Sequence, residues 1–146
     1  MNSHLVYLAQ TETTVGFLSQ NATALIQTKQ RPETKPFIIS VDSCSTLKTF
    51  THVPLKYRSR IRRARKTTFA YPNGQAIRVV KDEAHLSFLQ KLTWSYSTSS
   101  NPSGKPFDEN FALEKANVIV FTCKGLFEAT PSSILKLGKS KLKKVR

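Results

Sequence analysis

Acidic residues are scarce in this chain: nine Asp and Glu stand against 23 Lys and Arg, a formal net charge of +14 over 146 residues. Self-repulsion of that size opposes a compact state unless polyanions are near, so the composition implies phosphate-bearing partners, a nucleotide, RNA or both. There are two cysteines, Cys44 and Cys123, each without a nearby Cys or His. Zinc sites need clustered ligands, so no metal site is predicted, and two reduced thiols fit a cytoplasmic protein. Long apolar runs are missing; stretches such as Val118–Phe121 are strand-sized, which predicts no membrane span. Met1–Ser3 lacks the basic and apolar features of a signal peptide, and no basic segment carries the wide apolar face of an interfacial helix. GxGxxG and Walker A sequences are absent, which excludes the standard nucleotide loops. With no internal repeat and no linker, the length predicts one domain spanning residues 1–146.

What is present alternates between strand-like and helix-like segments. Leu5–Ala9 predicts a first strand, followed by a threonine-rich polar stretch, Gln10–Gly16. Ala22, Leu25 and Ile26 have helical spacing within Asn21–Lys29, with Asn21 as N-cap and Pro32 as terminator. Phe37–Val41 reads as a buried strand and Ser43–Phe50 as a short helix capped by Asp42 or Ser43. Pro54 suits the first turn of a helix carrying Tyr57 and Ile61. Thr67–Tyr71 and Gln75–Val80 read as strands around the turn Pro72-Asn73-Gly74. Asp82 caps a helix over Glu83–Leu92, with Leu86, Leu89 and Leu92 on its apolar face. A strand over Trp94–Ser97, a weak helix over Phe111–Ala116, a strand over Asn117–Thr122 and two short strands around Gly138 complete the reading. This pattern predicts an α/β protein of the α+β type, a twisted sheet mixing parallel and antiparallel strands with helices on its faces.

Four segments can carry chemistry. Thr11-Glu12-Thr13-Thr14 with Gly16 offers hydroxyls and a carboxylate to a small zwitterion or a ribose, or is simply a threonine-rich turn. Lys29, Arg31 and Lys35, punctuated by Pro32 and Pro36, can grip a triphosphate or form a solvated basic turn. Ser97-Thr98-Ser99-Ser100-Asn101 with Ser103-Gly104 can make an anion nest beyond a strand end, where open α/β sheets bind ligands, or a plain polar loop. Arg78 lies between Ile77 and Val79; a charge in such a strand needs a partner, either a ligand or one of the few acids. His4, His52 and His85 are scattered, read as surface residues, and no Ser–His or Cys–His nucleophile pair is evident.

In this order the four segments resemble the YrdC-like, threonylcarbamoyl-AMP synthase family. Thr11-Glu12-Thr13-Thr14-Val15-Gly16 is similar to its first motif, Thr-Asp/Glu-Thr-Val-Tyr-Gly. Lys29-Gln30-Arg31-Pro32 and Lys35-Pro36 match its Lys-x-Arg-Pro and Lys-Pro, and Arg78-Val79 its Arg-Val strand. Ser97-Thr98-Ser99-Ser100-Asn101-Pro102-Ser103-Gly104 nearly repeats its Ser-Thr-Ser-Ala-Asn-x-Ser-Gly loop. Pro131-Ser132-Ser133-Ile134 resembles the late Pro-Ser-Thr-Ile/Val, and Arg146 its terminal strand arginine. Gln10 replaces the proline of the first motif, Val15 replaces its aromatic residue, and Arg65-Lys66-Thr67-Thr68 stands where the family has Pro-Gly-Pro-x-Thr.

The resemblance implies a sheet enclosing a large positive cavity that takes L-threonine, bicarbonate and ATP, with Mg²⁺, and forms threonylcarbamoyl-AMP and pyrophosphate for tRNA modification. It implies Thr11, Thr13 and Ser99 at the threonine, and Lys35, Ser97, Ser99, Asn101, Ser133 and Arg146 at the nucleotide. Lys29, Arg31 and Arg78 serve the reaction itself, the first two also holding nucleotide phosphates. A second possibility stays open: a non-catalytic binder of nucleotide or of double-stranded RNA or tRNA. For it the basic run Lys56–Lys66 supplies Arg58, Arg60, Arg62, Arg63 and Arg65. Other tRNA-modification proteins are conceivable partners.

Overall fold

The computed structural model describes residues 1–146. Nine strands form one sheet: β1 (Tyr7–Gln10), β2 (Val15–Ser19), β3 (Ile38–Val41), β4 (Thr67–Ala70), β5 (Ala76–Val79), β6 (Trp94–Ser99), β7 (Val118–Val120), β8 (Ser133–Leu137) and β9 (Leu142–Lys144). Their spatial order is β7-β1-β2-β6-β3-β5-β4-β8-β9. β7–β1, β3–β5 and β4–β8 pair in parallel and the other neighbours antiparallel, so the sheet is mixed, as the sequence predicts. The five helices are α1 (Ala22–Lys29), α2 (Cys44–Phe50), α3 (Arg58–Arg63, after a 3-10 turn at Leu55–Tyr57), α4 (Glu83–Leu89) and α5 (Glu109–Lys115). None is long and apolar enough to cross a membrane.

Side chains alternate across the strands and so divide the sheet into two faces. Ile39, Val41, Phe69, Ile77 and Val79 point to one face, where Leu47 of α2 and Ile61 of α3 close a core of 11 buried residues. Val15 and Phe17 extend this face toward Leu25 of α1 and Ala112 of α5. Tyr7, Ala9 and Leu18 point the other way and meet Phe88 and Leu92 beside α4. Four helices therefore cover one face. Beyond α4, the second face stays open, and a cavity lined by Arg78, Ser97 and Ser99 lies there.

The predicted caps form: Asn21, Ser43 and Asp82 accept from the backbone of Ala24, Thr46 and His85. One strand escaped the sequence reading. β2 has no polar–apolar alternation because all five residues are buried between β1 and β6. Its Gly16 is required by close approach, since a Cβ there would lie 2.7 Å from Thr98 O. The α4 helix stops at Leu89, three residues short of the expectation. A tight turn and Thr93 in the left-handed region (φ 67°) follow, redirecting the chain into β6. The buried face of α4 carries His85, Phe88 and Leu89. His85 is only 1% exposed, which corrects its reading as a surface residue, while His4 and His52 are exposed.

Candidate functional site

The cavity, about 500 Å³, opens where the end of α1 meets the end of β6. The α1 helix ends on Gln30 in the left-handed conformation (φ 51°), with Arg31 N donating to Ile26 O. This reversal turns residues on either side of the cap, Lys29 and Arg31, toward one space. The Lys29 ammonium donates to Asn101 Oδ1 (3.0 Å), Ser99 Oγ (3.1 Å) and Ser99 O. Arg31 donates to Thr98 Oγ1 (3.3 Å) and Pro36 O (2.8 Å) and sits over the Phe37 ring. Burial, then Arg31 and Lys35, lower the Lys29 pKa to about 8. Burial lowers that of Arg31.

The β1–β2 turn forms another wall. Thr11 Oγ1 is hydrogen-bonded to Thr13 Oγ1 (3.2 Å) and donates to Thr14 O (2.6 Å). Arg78 rises from β5 as the floor, 3% exposed, and donates to Thr13 Oγ1 (3.0 Å) and Ser40 Oγ (3.4 Å). Ser40 in turn bonds Ser97 Oγ at 3.1 Å. The acid predicted as a partner for Arg78 is Glu12, whose Oε1 lies 3.5 Å from Arg78 Nε. Burial depresses the Arg78 pKa, opposed by Glu12. The Glu12 side chain is therefore turned away from the cavity, unlike its reading as a ligand group.

The last wall comes from the C-terminal strands. Val145 N (2.8 Å) and Arg146 N (3.3 Å) both bond Ile134 O, and Ile134 N returns to Arg146 O (2.9 Å). Two residues thus oppose one, a β-bulge, and it keeps Arg146 on the cavity side where strict alternation beyond Lys144 would turn it away. Arg146 also donates to Ser132 O at 3.1 Å.

Lys29, Arg31, Lys35, Arg78, Thr11, Thr13, Ser97, Ser99, Asn101 and Arg146 all line this one cavity, and no Asp or Glu does. Ser133 does not: it is exposed, and its neighbour Ser132 faces the cavity instead. Strand alternation was the missed signal, since Ile134 and Ser132 share a side. Arg58, Arg60, Arg62, Arg63 and Arg65 are exposed and none reaches the cavity. Arg60 and Arg63 border a separate groove of about 370 Å³ over Phe69 and Leu135, on the opposite face.

The family model Sua5_yciO_yrdC, described as telomere recombination, matches residues 7–146. No curated protein matches this chain. The fold is similar to P. abyssi Sua5 complexed with L-threonine (TM-score 0.79, 19% identity, covering 97% of this chain and 50% of that one). A second P. abyssi Sua5 structure gives TM-score 0.82 and 21% identity over 97% of this chain and 52% of that one. E. coli YciO gives 0.78 and 16% over 98% and 82%. The chain spans about half the length of the Sua5 structures. A match running through every cavity wall, from the β1–β2 turn to Arg146, places the chain in the Sua5/YciO/YrdC family.

Proposed function

We propose that the cavity binds ATP and L-threonine and makes threonylcarbamoyl-AMP from L-threonine, bicarbonate and ATP. The observation that carries this reading is the direct contact of Lys29 with Ser99 and Asn101, beside Arg31, in an acid-free cavity. Polyanionic reactants repel one another, so fixed cations and hydroxyl donors are what their assembly needs. The threonine amine captures bicarbonate-derived carbon dioxide to give a carbamate and releases a proton. A carbamate oxygen attacks the α-phosphorus of ATP, the bond to the β-phosphate oxygen breaks, and pyrophosphate leaves. Thr11, Thr13 and Ser99 hold the threonine. Lys29, Arg31, Lys35, Ser97, Ser99, Asn101 and Arg146 hold the nucleotide, and Arg78 supplies fixed donors on the floor. The co-crystallised L-threonine of the P. abyssi relative agrees with the small-molecule half of this assignment.

The residues present do not fit a protein-held Mg²⁺: no carboxylate lines the cavity and no cluster of acidic, His or Cys side chains stands elsewhere. Magnesium enters this proposal only as the companion of the ATP phosphates. The test is pyrophosphate release that requires both L-threonine and bicarbonate in a folded, magnesium-supplied sample. Release indifferent to either one, or none, rejects the synthase.

A second reading, RNA binding without catalysis, is favoured by one observation. Lys136 and Lys143 are direct cross-strand partners on the cavity side of β8 and β9. Like charges so placed repel, and residues 129–146 contain no acid to relieve them. RNA phosphates would. Neutralising both as Gln should then reduce the salt slope of duplex-RNA binding by about 2. An unchanged slope rejects this reading.

A further inference from the structure

Glu12 belongs to the β1–β2 turn, between Thr11 and Thr13, yet it alone of the three does not line the cavity. Its carboxylate is gripped from behind. One oxygen faces Arg78 Nε at 3.5 Å and the other accepts from Lys81 N at 3.3 Å. Its own backbone N–H donates to His85 Nδ1 at 3.4 Å. The turn is thus pinned to the end of β5 and to α4 at once. Arg78 hydrogen-bonds Thr13 and Ser40 through its two terminal nitrogens, while Nε makes no hydrogen bond and is ion-paired with Glu12 at 3.5 Å.

We propose that Glu12 is a positioning residue that acts through Arg78, fixing which edge of the guanidinium faces the threonine end of the cavity. This rests on the assignment of Thr11 and Thr13 to L-threonine. The physical reason is that a buried guanidinium with one counter-charge has one favoured orientation. With the Nε edge committed to the carboxylate, the terminal nitrogens are left for the hydroxyl wall and the ligand. The charges around the pair are few. Arg146 is the other cation bearing on Arg78, and His85 is kept neutral by its burial. Glu12 therefore also makes the floor nearly neutral, leaving the attraction for phosphates to Lys29, Arg31, Lys35 and Arg146.

The test is a double-variant cycle with Glu12→Gln and Arg78→Gln. Affinities for L-threonine and for ATP are measured separately by calorimetry, and kcat and KM by pyrophosphate release. Glu12→Gln is expected to weaken L-threonine binding about tenfold, the scale of one charged hydrogen bond, with ATP affinity held within about threefold. In the Arg78→Gln background it should add nothing. Glu12→Asp, which keeps the charge one methylene back, should fall between wild type and Glu12→Gln. If Glu12→Gln does not fold, Glu12→Asp carries the test by the same selective loss of L-threonine affinity. Multiplicative losses in the double variant, equal weakening of both ligands, or unchanged L-threonine binding would each overturn the positioning role. Wild-type protein that binds no L-threonine would instead fell the proposed function, and this inference with it.

Discussion

Lys29 Nζ lies 3.0 Å from Asn101 Oδ1, a contact that joins residues 72 positions apart. It ties the end of α1 to the loop that follows β6, and both residues line the cavity. Three acceptors hold the ammonium, so it stands fixed before any ligand arrives. Lys29→Ala should therefore weaken ATP binding about 10- to 100-fold, the range of a charge-assisted hydrogen bond. Arg62→Ala, on the exposed surface away from the cavity, should leave it unchanged. Isothermal titration of both variants separates a cavity site from a general attraction of the basic surface.

The same lysine predicts a pH dependence. Its folded pKa is lowered from 10.5 to about 8, so the free cavity loses a cation as pH rises through about 8. ATP affinity should fall between pH 7.5 and 9, accompanied by proton uptake on binding, and Lys29→Arg should abolish that fall. The linked stability has the opposite sense. The unfolded chain binds the proton more tightly, so burial of Lys29 weighs against folding below about pH 8 and this is relieved toward pH 10.5.

His85 supplies an acid limit. Burial, reinforced by Arg78, lowers its pKa from 6.5 to about 3. The unfolded chain then binds more protons below pH 6.5, and stability is lost as pH falls from 6.5 toward 3, by at most about 1.4 kcal/mol per pH unit. Urea midpoints at pH 7 and pH 5.5 should differ in the wild type. They should differ less in His85→Gln, which retains an acceptor for Glu12 N.

Gly16 offers a purely steric prediction. An added methyl would press on the Thr98 carbonyl at 2.7 Å, inside a central strand pair with little freedom to part. Gly16→Ala should cost about 1–3 kcal/mol, read as a lowered urea midpoint. Because Gly16 also borders the cavity, L-threonine affinity should fall with it.

Much of this architecture was legible in the sequence because it rests on local rules. The caps at Asn21 and Asp82 follow from side chains that satisfy free backbone N–H groups. The β4–β5 hairpin follows from Pro72-Asn73-Gly74, where Gly74 takes a φ of 85°. β2 was not legible, because a strand buried on both faces has no alternation to read. His85 misled because a lone histidine carries no sign of burial; its concealment comes from neighbours distant in sequence, Glu12 of the β1–β2 turn and Arg78 of β5.

The sequence by itself determined the excess of cations, the motif residues and the order in which they occur. Only the tertiary structure decided which of those cations meet. Strand alternation and the β6–β2 and β3–β5 pairings brought Arg78, Ser97 and Ser99 to one side. The bulge at Val145–Arg146 added a fifth cation, Arg146. The arginines of α3 were left on the opposite side, because Ile61 had to enter the core. Charge is a property of composition, but its direction is set by which neighbouring side chain must be buried.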